Sequence, residues 1–403
     1  MKRIKGLESY NMKIKVLTPT FIGGGEDTKI NKSQYIYDPK KKQLKIVDER
    51  KLASFLGKRN LLGFYSGYVK DLNDNIKNKR NKNENDMNLG EWFRKISSMV
   101  NFSGDIEECI KYSIDVSNIR RNQLNDVACF IKNVEGNPYI PGSSLKGAIT
   151  NAILVDHIHR NRDMYRSSWE EIKRATAKPS HNNRDSKEMK KRVERVSNNL
   201  VKDIFDYEIL DEGGRKTTYK GMSGLSVSDS SQFKREDMKL FQRKDLLLTD
   251  KKDNILPIFR ECLVSPQEAT FSLNIDSNKL NSSLEIKGID DIYRALDTQF
   301  ELLAGKDGVF RVFSNLDTLM PFDGDDKGLL FVGGGTGYLT KTIMAALAPD
   351  KDQLLKAVRN FLHKDRPVTF IHENDKLISP RTIRVSDNNG KDQLNGICRI
   401  EVV

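Results

Sequence analysis

The sequence has no apolar run approaching the ~18 residues that would cross a bilayer, and its richest stretch, 343–348, falls far short of that. It has no close cysteine pair either. Its 4 cysteines, Cys109, Cys129, Cys262 and Cys398, are widely scattered, which excludes a zinc ribbon, a C-x-x-C redox centre and a disulfide scaffold. Half-buried thiols in a reducing cytoplasm are expected instead. Its 5 histidines form no H-E-x-x-H pair, so the helical metalloprotease site is missing too. Residues 1–10 carry charges and no apolar core, so no secretory signal is expected.

Charge is what the sequence has in quantity. Lys+Arg is 68 against Asp+Glu 56, a net +12 over 403 residues, with 31% charged and 37% hydrophobic. That composition is polar but still buries cores, and the length predicts roughly two or three domains of ~150 residues. A basic excess asks for an acidic partner, nucleic acid first among them, and no membrane.

Residues 12–18 alternate, with Met12, Ile14 and Val16 on one side and Lys13 and Lys15 on the other, the pattern of a half-buried strand. The strand runs into Thr20-Phe21-Ile22-Gly23-Gly24-Gly25, where glycine lets the backbone turn sharply or approach a ligand. A hairpin is expected over 35–37 and 44–47, then a short helix capped by Asp48. Residues 70–88 are rich in Asn, Lys and Asp and read as an exposed insertion; a helix anchored by Trp92, Phe93, Ile96, Met99 and Val100 follows.

Residues 160–199 are dense in Arg and Lys and end in an amphipathic helix near 187–200. They are either a solvated face or a basic arm tracking phosphates. The Gly213-Gly214-Arg215-Lys216 turn marks the expected boundary. Beyond it come a strand at 225–229, a long hairpin from 255–264 and 270–275, a helix over 289–303, a strand at 329–332, a helix starting near Tyr338, another over 353–362 and a closing strand at 397–402. The fold class is therefore α+β, with two ferredoxin-like (RRM-like) units. The expected domains are residues 1–215, with insertions at about 59–126 and 160–200, and residues 216–403.

The sharpest local signal is Tyr139-Ile140-Pro141-Gly142-Ser143-Ser144-Leu145-Lys146-Gly147-Ala148-Ile149. Leu145, Ala148, Ile149, Ala152 and Ile153 fall on one helical face, and Ser143 is a candidate cap. A Gly-Ser turn at a helix N-terminus offers N–H groups and hydroxyls to a phosphate, with Lys146 beside it. A nucleotide-hydrolysing P-loop is excluded, because Ala148 and Ile149 stand where Lys-Ser/Thr must follow Gly147. The Gly333-Gly334-Gly335-Thr336-Gly337 run lacks dinucleotide spacing, with Tyr338 at the last glycine position. The histidines His157, His159, His181, His363 and His372 read as structural, although His157 or His159 serves the alternative of a metal-independent ribonuclease. The Asp323-Gly324-Asp325-Asp326 run and Asp375 have the residue type to bind Mg²⁺, but such loops are mostly solvated turns and are read as such. No metal and no cofactor is expected.

The 140–147 segment resembles the glycine-rich signature of the RAMP superfamily of CRISPR systems. The 332–342 segment resembles the C-terminal loop of one of its subtypes, the fifth Csm subunit of type III-A effector complexes, and 18–25 matches the RAMP N-terminus. The resemblance implies RRM-like folds, binding of the 3′ part of the guide CRISPR RNA (crRNA), and target RNA in the assembled complex. It also implies contacts with the repeating backbone subunit and the small subunit, and a part in crRNA 3′ maturation through recruited host nucleases. Thr150 stands where the family often carries an arginine, and no catalytic residue is carried over. The expected RNA contacts are Gly23, Gly24, Gly25, Arg120, Arg121, Gly142, Ser143, Ser144, Lys146, Gly147, Arg260, Gly333, Gly334, Gly335, Thr336, Gly337 and Lys341. A free-standing RNA chaperone is a third reading.

Overall fold

The computed structural model describes residues 6–25, 28–77, 87–100, 102, 104–116, 119–120, 124–178, 183–210, 213–248, 254–313, 315–322, 327–363, 372 and 374–403. The first strand, β1 (Leu7–Val16), obeys its alternation: Met12, Ile14 and Val16 are buried. Lys13 and Lys15 lie on the other face against Glu268, at 3.3 and 3.8 Å.

In chain order the strands continue as β2 (Lys29–Ile30), β3 (Tyr35–Asp38), β4 (Gln43–Val47), β5 (Ile110–Val116), β6 (Val127–Ala128), β7 (Tyr207–Leu210) and β8 (Lys216–Tyr219). Then come β9 (Leu225–Val227), β10 (Met238–Leu247), β11 (Asn254–Leu263), β12 (Gln267–Asp276), β13 (Leu329–Phe331), β14 (Thr382–Asn388), β15 (Lys391–Leu394) and β16 (Ile397–Val402). The helices are α1 (Glu49–Gly57), α2 (Leu62–Lys77), α3 (Leu89–Met99), α4 (Gly142–Arg160), α5 (Arg166–Ala175), α6 (Asn183–Phe205), α7 (Ile289–Ala304), the single turns α8 (Leu316–Leu319) and α9 (Met344–Leu347), and α10 (Lys351–Leu362).

One sheet has the order β13-β16-β1-β12-β9, with every neighbouring pair antiparallel. Along the chain, β1-α4-β9-β12-α7-β16 is a β-α-β-β-α-β path. Its strand order is that of a ferredoxin-like unit, with β13 added beside β16. α4 and α7 pack side by side. Leu145, Ile149, Ala152 and Ile153 from one and Ile292, Ala295, Leu296 and Leu303 from the other enter a shared core. Each large apolar side chain so buried contributes roughly 1.5–3 kcal/mol.

The second sheet runs β2-β6-β11-β10-β5-β4-β3, with β14 and β15 joined through β10. β10 pairs with β11 along one edge; its other edge is shared by β5 at Lys239–Leu240 and β14 at Lys244–Leu247. Strands from both sides of residue 215 interleave in the first sheet and in the second, so the sheets do not divide the chain at that turn. β5, within the expected 59–126 insertion, is built between β4 and β10.

Several local expectations change in three dimensions. The 255–264 and 270–275 strands exist, but not as a hairpin. β11 pairs with β10 in one sheet and β12 with β1 in the other, because each apolar face finds a different layer. Part of 70–88 is the end of α2, with Leu72 buried; residues 78–86 lie outside the described residues. Met99 is 66% exposed. The helix expected at Tyr338 is one 3-10 turn over Leu339–Lys341. Asp375 is buried, not solvated, within 3.1 Å of His372 Nδ1; 323–326 and His181 lie outside the described residues.

The basic 160–199 region is packed rather than trailing. Trp169 and Ile172 of α5 and Val193, Val196 and Leu200 of α6 enter the main core. Arg195 meets Glu171 at 2.9 Å and Arg192 meets Glu188 at 2.6 Å, which is the solvated-face arrangement. Helices α1–α3 enclose a small separate core in which Tyr68 stacks on Trp92 with centroids 5.2 Å apart.

Candidate nucleic-acid interface

The Gly23–Gly25 and Gly333–Gly337 loops are joined through the backbone. Gly334 N donates to Phe21 O at 2.7 Å. Gly333 has φ +81°, and a Cβ there would lie 2.1 Å from the same carbonyl. Only glycine permits both the left-handed backbone and the approach. Behind them, Gly396 N donates to Pro19 O and Val332 N to Gly396 O, at 2.9 and 2.7 Å, fixing both loops to the start of β16. On the other flank, Gly23 bridges to Phe130.

Helix α4 approaches the same loops. Asn151 Nδ2 donates to Thr340 O at 3.1 Å, and Thr340 Oγ1 donates to Thr336 Oγ1 at 2.9 Å. Asn151 lies one turn beyond Gly147, on the same face. Gly147 is exposed, with open space where a Cβ would be. A mid-helix glycine costs about 1 kcal/mol against alanine, and nothing within the described chain requires one there. Lys146 is half-buried beside it.

The start of α4 differs from expectation. Gly142, not Ser143, begins the helix, and the capping position is Pro141, without a side-chain cap. Gly142 N donates to Asp229 Oδ1 at 2.7 Å, so a carboxylate of the chain itself occupies the first N–H at the positive end of the helix. A Cβ on Gly142 would meet Val227 O at 2.3 Å; this glycine serves packing. Ser143 is exposed and Ser144 half-buried.

Around the joined loops the structure assembles cations from three strands. Arg260 of β11 lies over the Phe21 ring at 5.1 Å and reaches Gly335, whose Cβ would sit 2.8 Å from its Nη1. Arg243 of β10 and Arg384 of β14 line the same small recess, with Gly334, Ser386 and Asn395. Arg243 is held by Asp245 through two contacts, at 2.8 and 2.6 Å. Among the described residues no carboxylate forms an ion pair with Arg260, Arg384, Lys341 or Lys146.

Glu261 is adjacent in sequence to Arg260 but points to the opposite face of β11. There it is fully buried, accepting from Lys132 Nζ, from Tyr112 OH at 2.6 Å and from Phe130 N at 3.0 Å. Desolvation holds the half-buried Arg260 and Arg384, and to a lesser degree the more exposed Lys341, below their ordinary pKa values. Neighbouring cations push the same way: Arg243 on Arg260, Arg243 and Arg260 on Arg384, and Arg260 and Arg384 on Lys341. Asp245, held by Arg243, is the carboxylate that opposes these shifts on Arg260 and Arg384, and a group with more cations than carboxylates is suited to a bound anion.

Of the residues expected from sequence, the Gly23–Gly25 and Gly333–Gly337 loops, Arg260, Thr336 and Lys341 meet in one region; Lys146 and Gly147 lie on α4 about one turn before Asn151, which reaches Thr340, and Gly142 packs against β9. Arg120 stands at its edge, its backbone N–H donating to Gln242 Oε1 at 2.9 Å, one residue from Arg243. Arg121 lies outside the described residues. Arg243, Arg384 and Asn395 were not anticipated. The first two are single arginines in strands, without a motif; the third stands before Gly396, a turn signal that goes unread.

Gly-rich bends around a ferredoxin-like sheet, faced by Arg260, Arg384 and Lys341, are the features a nucleic-acid interface would need. Residues 13–316 match the RAMP superfamily, and the chain belongs to it. Curated relatives named CRISPR system Cms protein Csm5 include those of Enterococcus italicus (32% identity over 149 residues, 36% of this chain and 42% of the relative) and Mycobacterium tuberculosis (24% over 242 residues, 58% and 56%). Another, from Streptococcus thermophilus, is 23% identical over 292 residues, 70% of this chain and 68% of the relative. The matches thus span 42% and 56% of the length of the first two relatives.

The fold is also that of a chain in a cryo-EM structure of a Csm–crRNA–target RNA ternary complex of a type III-A CRISPR-Cas system (TM-score 0.60, 18% identity, 98% of this chain and 100% of the other). The crystal structure of T. onnurineus Csm5 is similar too (TM-score 0.52, 16% identity, 96% and 99%).

Proposed function

We propose that this chain is a non-catalytic RNA-binding subunit of a type III-A Csm complex. It holds the 3′ part of the crRNA at one end of the assembly, and it contributes to trimming that end through recruited host nucleases. The observation that carries the reading is the meeting of two glycine loops with Arg260, Arg384 and Lys341, none of which is paired with a carboxylate. Relatives named Csm5 and a structural neighbour from a Csm–crRNA–target RNA complex support the guide, the target RNA and other Csm subunits as partners; contacts with the repeating backbone subunit and the small subunit, in the cytoplasm, belong to this proposal. No described helix is long and apolar enough to cross a membrane.

Backbone amides and cations touch phosphate and ribose without reading bases. That suits a protein that must hold any spacer sequence. The RNA contacts of Gly23–Gly25, Arg120, Arg121, Ser143, Ser144, Lys146, Gly147 and Gly333–Gly337 belong to this proposal. Gly142 belongs to it only as packing beneath the helix start, since its N–H is taken by Asp229.

The rival reading places RNA cleavage at His157 or His159. His157 is 3% exposed, and its Nε2 is 2.8 Å from Tyr165 OH; His159 Nδ1 is 2.9 Å from Arg162 Nη2. Burial is the largest cause lowering both imidazole pKa values. His157, sealed in the core, has no access to a ribose 2′-hydroxyl; His159 is half-buried beside an open surface pocket, with its Nδ1 taken up by Arg162.

Co-expression with the other Csm subunits and crRNA is the test. The chain is expected to co-purify with them and to lengthen the protected 3′ part of the guide, without cleaving repeat RNA. Purification of the complete complex lacking this chain, with an unchanged 3′ footprint, would refute the reading. Site-specific cleavage lost in His157→Ala or His159→Ala would favour the nuclease, and tight RNA binding with no partner subunits would favour the chaperone.

A further inference from the structure

The recess between the glycine loops is not an open groove. Its floor is formed by Phe241, Cys262 and Ser386, which are 2%, 3% and 4% exposed. Its walls bring three guanidinium groups from three different strands: Arg243, Arg260 and Arg384. Lys341 stands near enough to feel both Arg260 and Arg384. Ser386 Oγ donates to Asn395 Oδ1 at 2.6 Å, which fixes the amide and leaves Asn395 Nδ2 as a further donor. One carboxylate, Asp245, faces this group, and Arg243 holds it.

An internal phosphodiester carries one charge on two free oxygens, and its chain must leave on both sides. A terminal phosphomonoester carries ≈ −1.5 to −2 charge at pH 7 on three acceptor oxygens, and its chain leaves on one side only. A recess closed beneath by buried side chains admits the second shape more readily than the first. Three lining arginines against one carboxylate, Asp245, also match a dianion better than a monoanion, and forked guanidinium groups suit its several oxygens.

We propose that this recess takes the terminal phosphomonoester of an RNA end, rather than a phosphate within the strand. This inference rests on the RNA-binding reading above and specifies what its most charged point recognises. Either a 3′-phosphate or a 5′-phosphate supplies that chemistry, and the two are separated by experiment.

The test compares otherwise identical single-stranded RNA oligonucleotides ending in 3′-hydroxyl, 3′-phosphate or 5′-phosphate, binding to the full chain by fluorescence anisotropy. One phosphorylated end is expected to bind about tenfold more tightly than the hydroxyl form. The advantage should shrink between pH 7.5 and pH 5.5, as the phosphate takes up its second proton with a pKa near ~6. It should vanish in Arg384→Gln and Arg260→Gln. Equal affinities for the three RNAs, all weakened alike by Arg384→Gln, would overturn the inference and leave RNA binding standing. Affinities untouched by both substitutions would overturn both readings. A measurement on the unaltered protein is independent of how the variants fold: inorganic phosphate should raise the melting temperature above that in chloride of the same ionic strength. No difference between the two salts would count against a phosphomonoester site.

Discussion

Gly334 donates its backbone N–H to the Phe21 carbonyl at 2.7 Å, across more than 300 residues of sequence. The hydrogen bond fastens the loop after the first strand to the loop after β13, and Arg260 lies over the ring of the same phenylalanine. The geometry of the cationic recess therefore depends on a contact that neither loop makes alone.

Replacing Gly333 by alanine should break that fastening. Its φ of +81° and a Cβ position 2.1 Å from Phe21 O combine left-handed strain with a backbone clash, together costing on the order of 3 kcal/mol. Gly337 has φ +105° but open space around a Cβ, so Gly337→Ala should cost only about 1–2 kcal/mol. Denaturant unfolding checks the order. Equal losses in the two variants would mean that the contact with Phe21 carries no weight.

Lys146 and Lys341 approach the interface from α4 and from the 3-10 turn of the second glycine loop. If each neutralises one phosphate of a single strand, Lys→Ala at either position should lower the slope of log affinity against log salt by about 0.7. Affinity should fall at low salt and change little at high salt. Anisotropy titrations over a range of potassium chloride decide this. Unchanged slopes would remove both lysines from the RNA path.

Glu261 is expected to be a stability residue. It is fully buried with three donors, Lys132, Tyr112 and the Phe130 N–H. Glu261→Ala leaves a largely buried ammonium group unpaired and should cost on the order of 3–5 kcal/mol. Tyr112→Phe removes one charge-assisted hydrogen bond and should cost about 2 kcal/mol. Urea unfolding curves test the difference, and a mild Glu261→Ala would mean that Lys132 finds solvent easily.

The thiols predict behaviour at alkaline pH. Burial pushes Cys262 and Cys398 up to about 12, so native protein at pH 8.5 should resist alkylation at both until denaturant is added. A raised thiol pKa stabilises the fold below the unfolded value of about 8.5. That contribution declines as pH rises from there toward 12, as the unfolded thiols ionise first. Melting temperatures should fall over this window, and less so in Cys262→Ser. Fast alkylation of the native protein would show that these sites open.

Local features with a short-range cause were legible before the fold was known. Alternation in β1, the Asp48 cap, which accepts from Arg50 N and Lys51 N, and the helical periodicity of α7 all appear in place. The resemblance to RAMP signatures pointed to the right superfamily. Ser143 was misread as a cap because the residue that actually caps Gly142 N–H, Asp229, lies 87 positions away. The supposed 255–275 hairpin was misread because its two strands are neighbours in sequence but belong to different sheets.

By itself the amino-acid order determined the strands, helix faces, glycine bends and positive excess of this protein, since each depends on neighbours a few positions apart or on a simple sum. The tertiary structure alone decided which charges would meet. Arg243, Arg260 and Arg384 sit on three strands whose order in the sheet brings them to one recess, and the strand pleat turns Glu261 away from it. Charge proximity is a long-range property of strand order and register, and no local pattern encodes it.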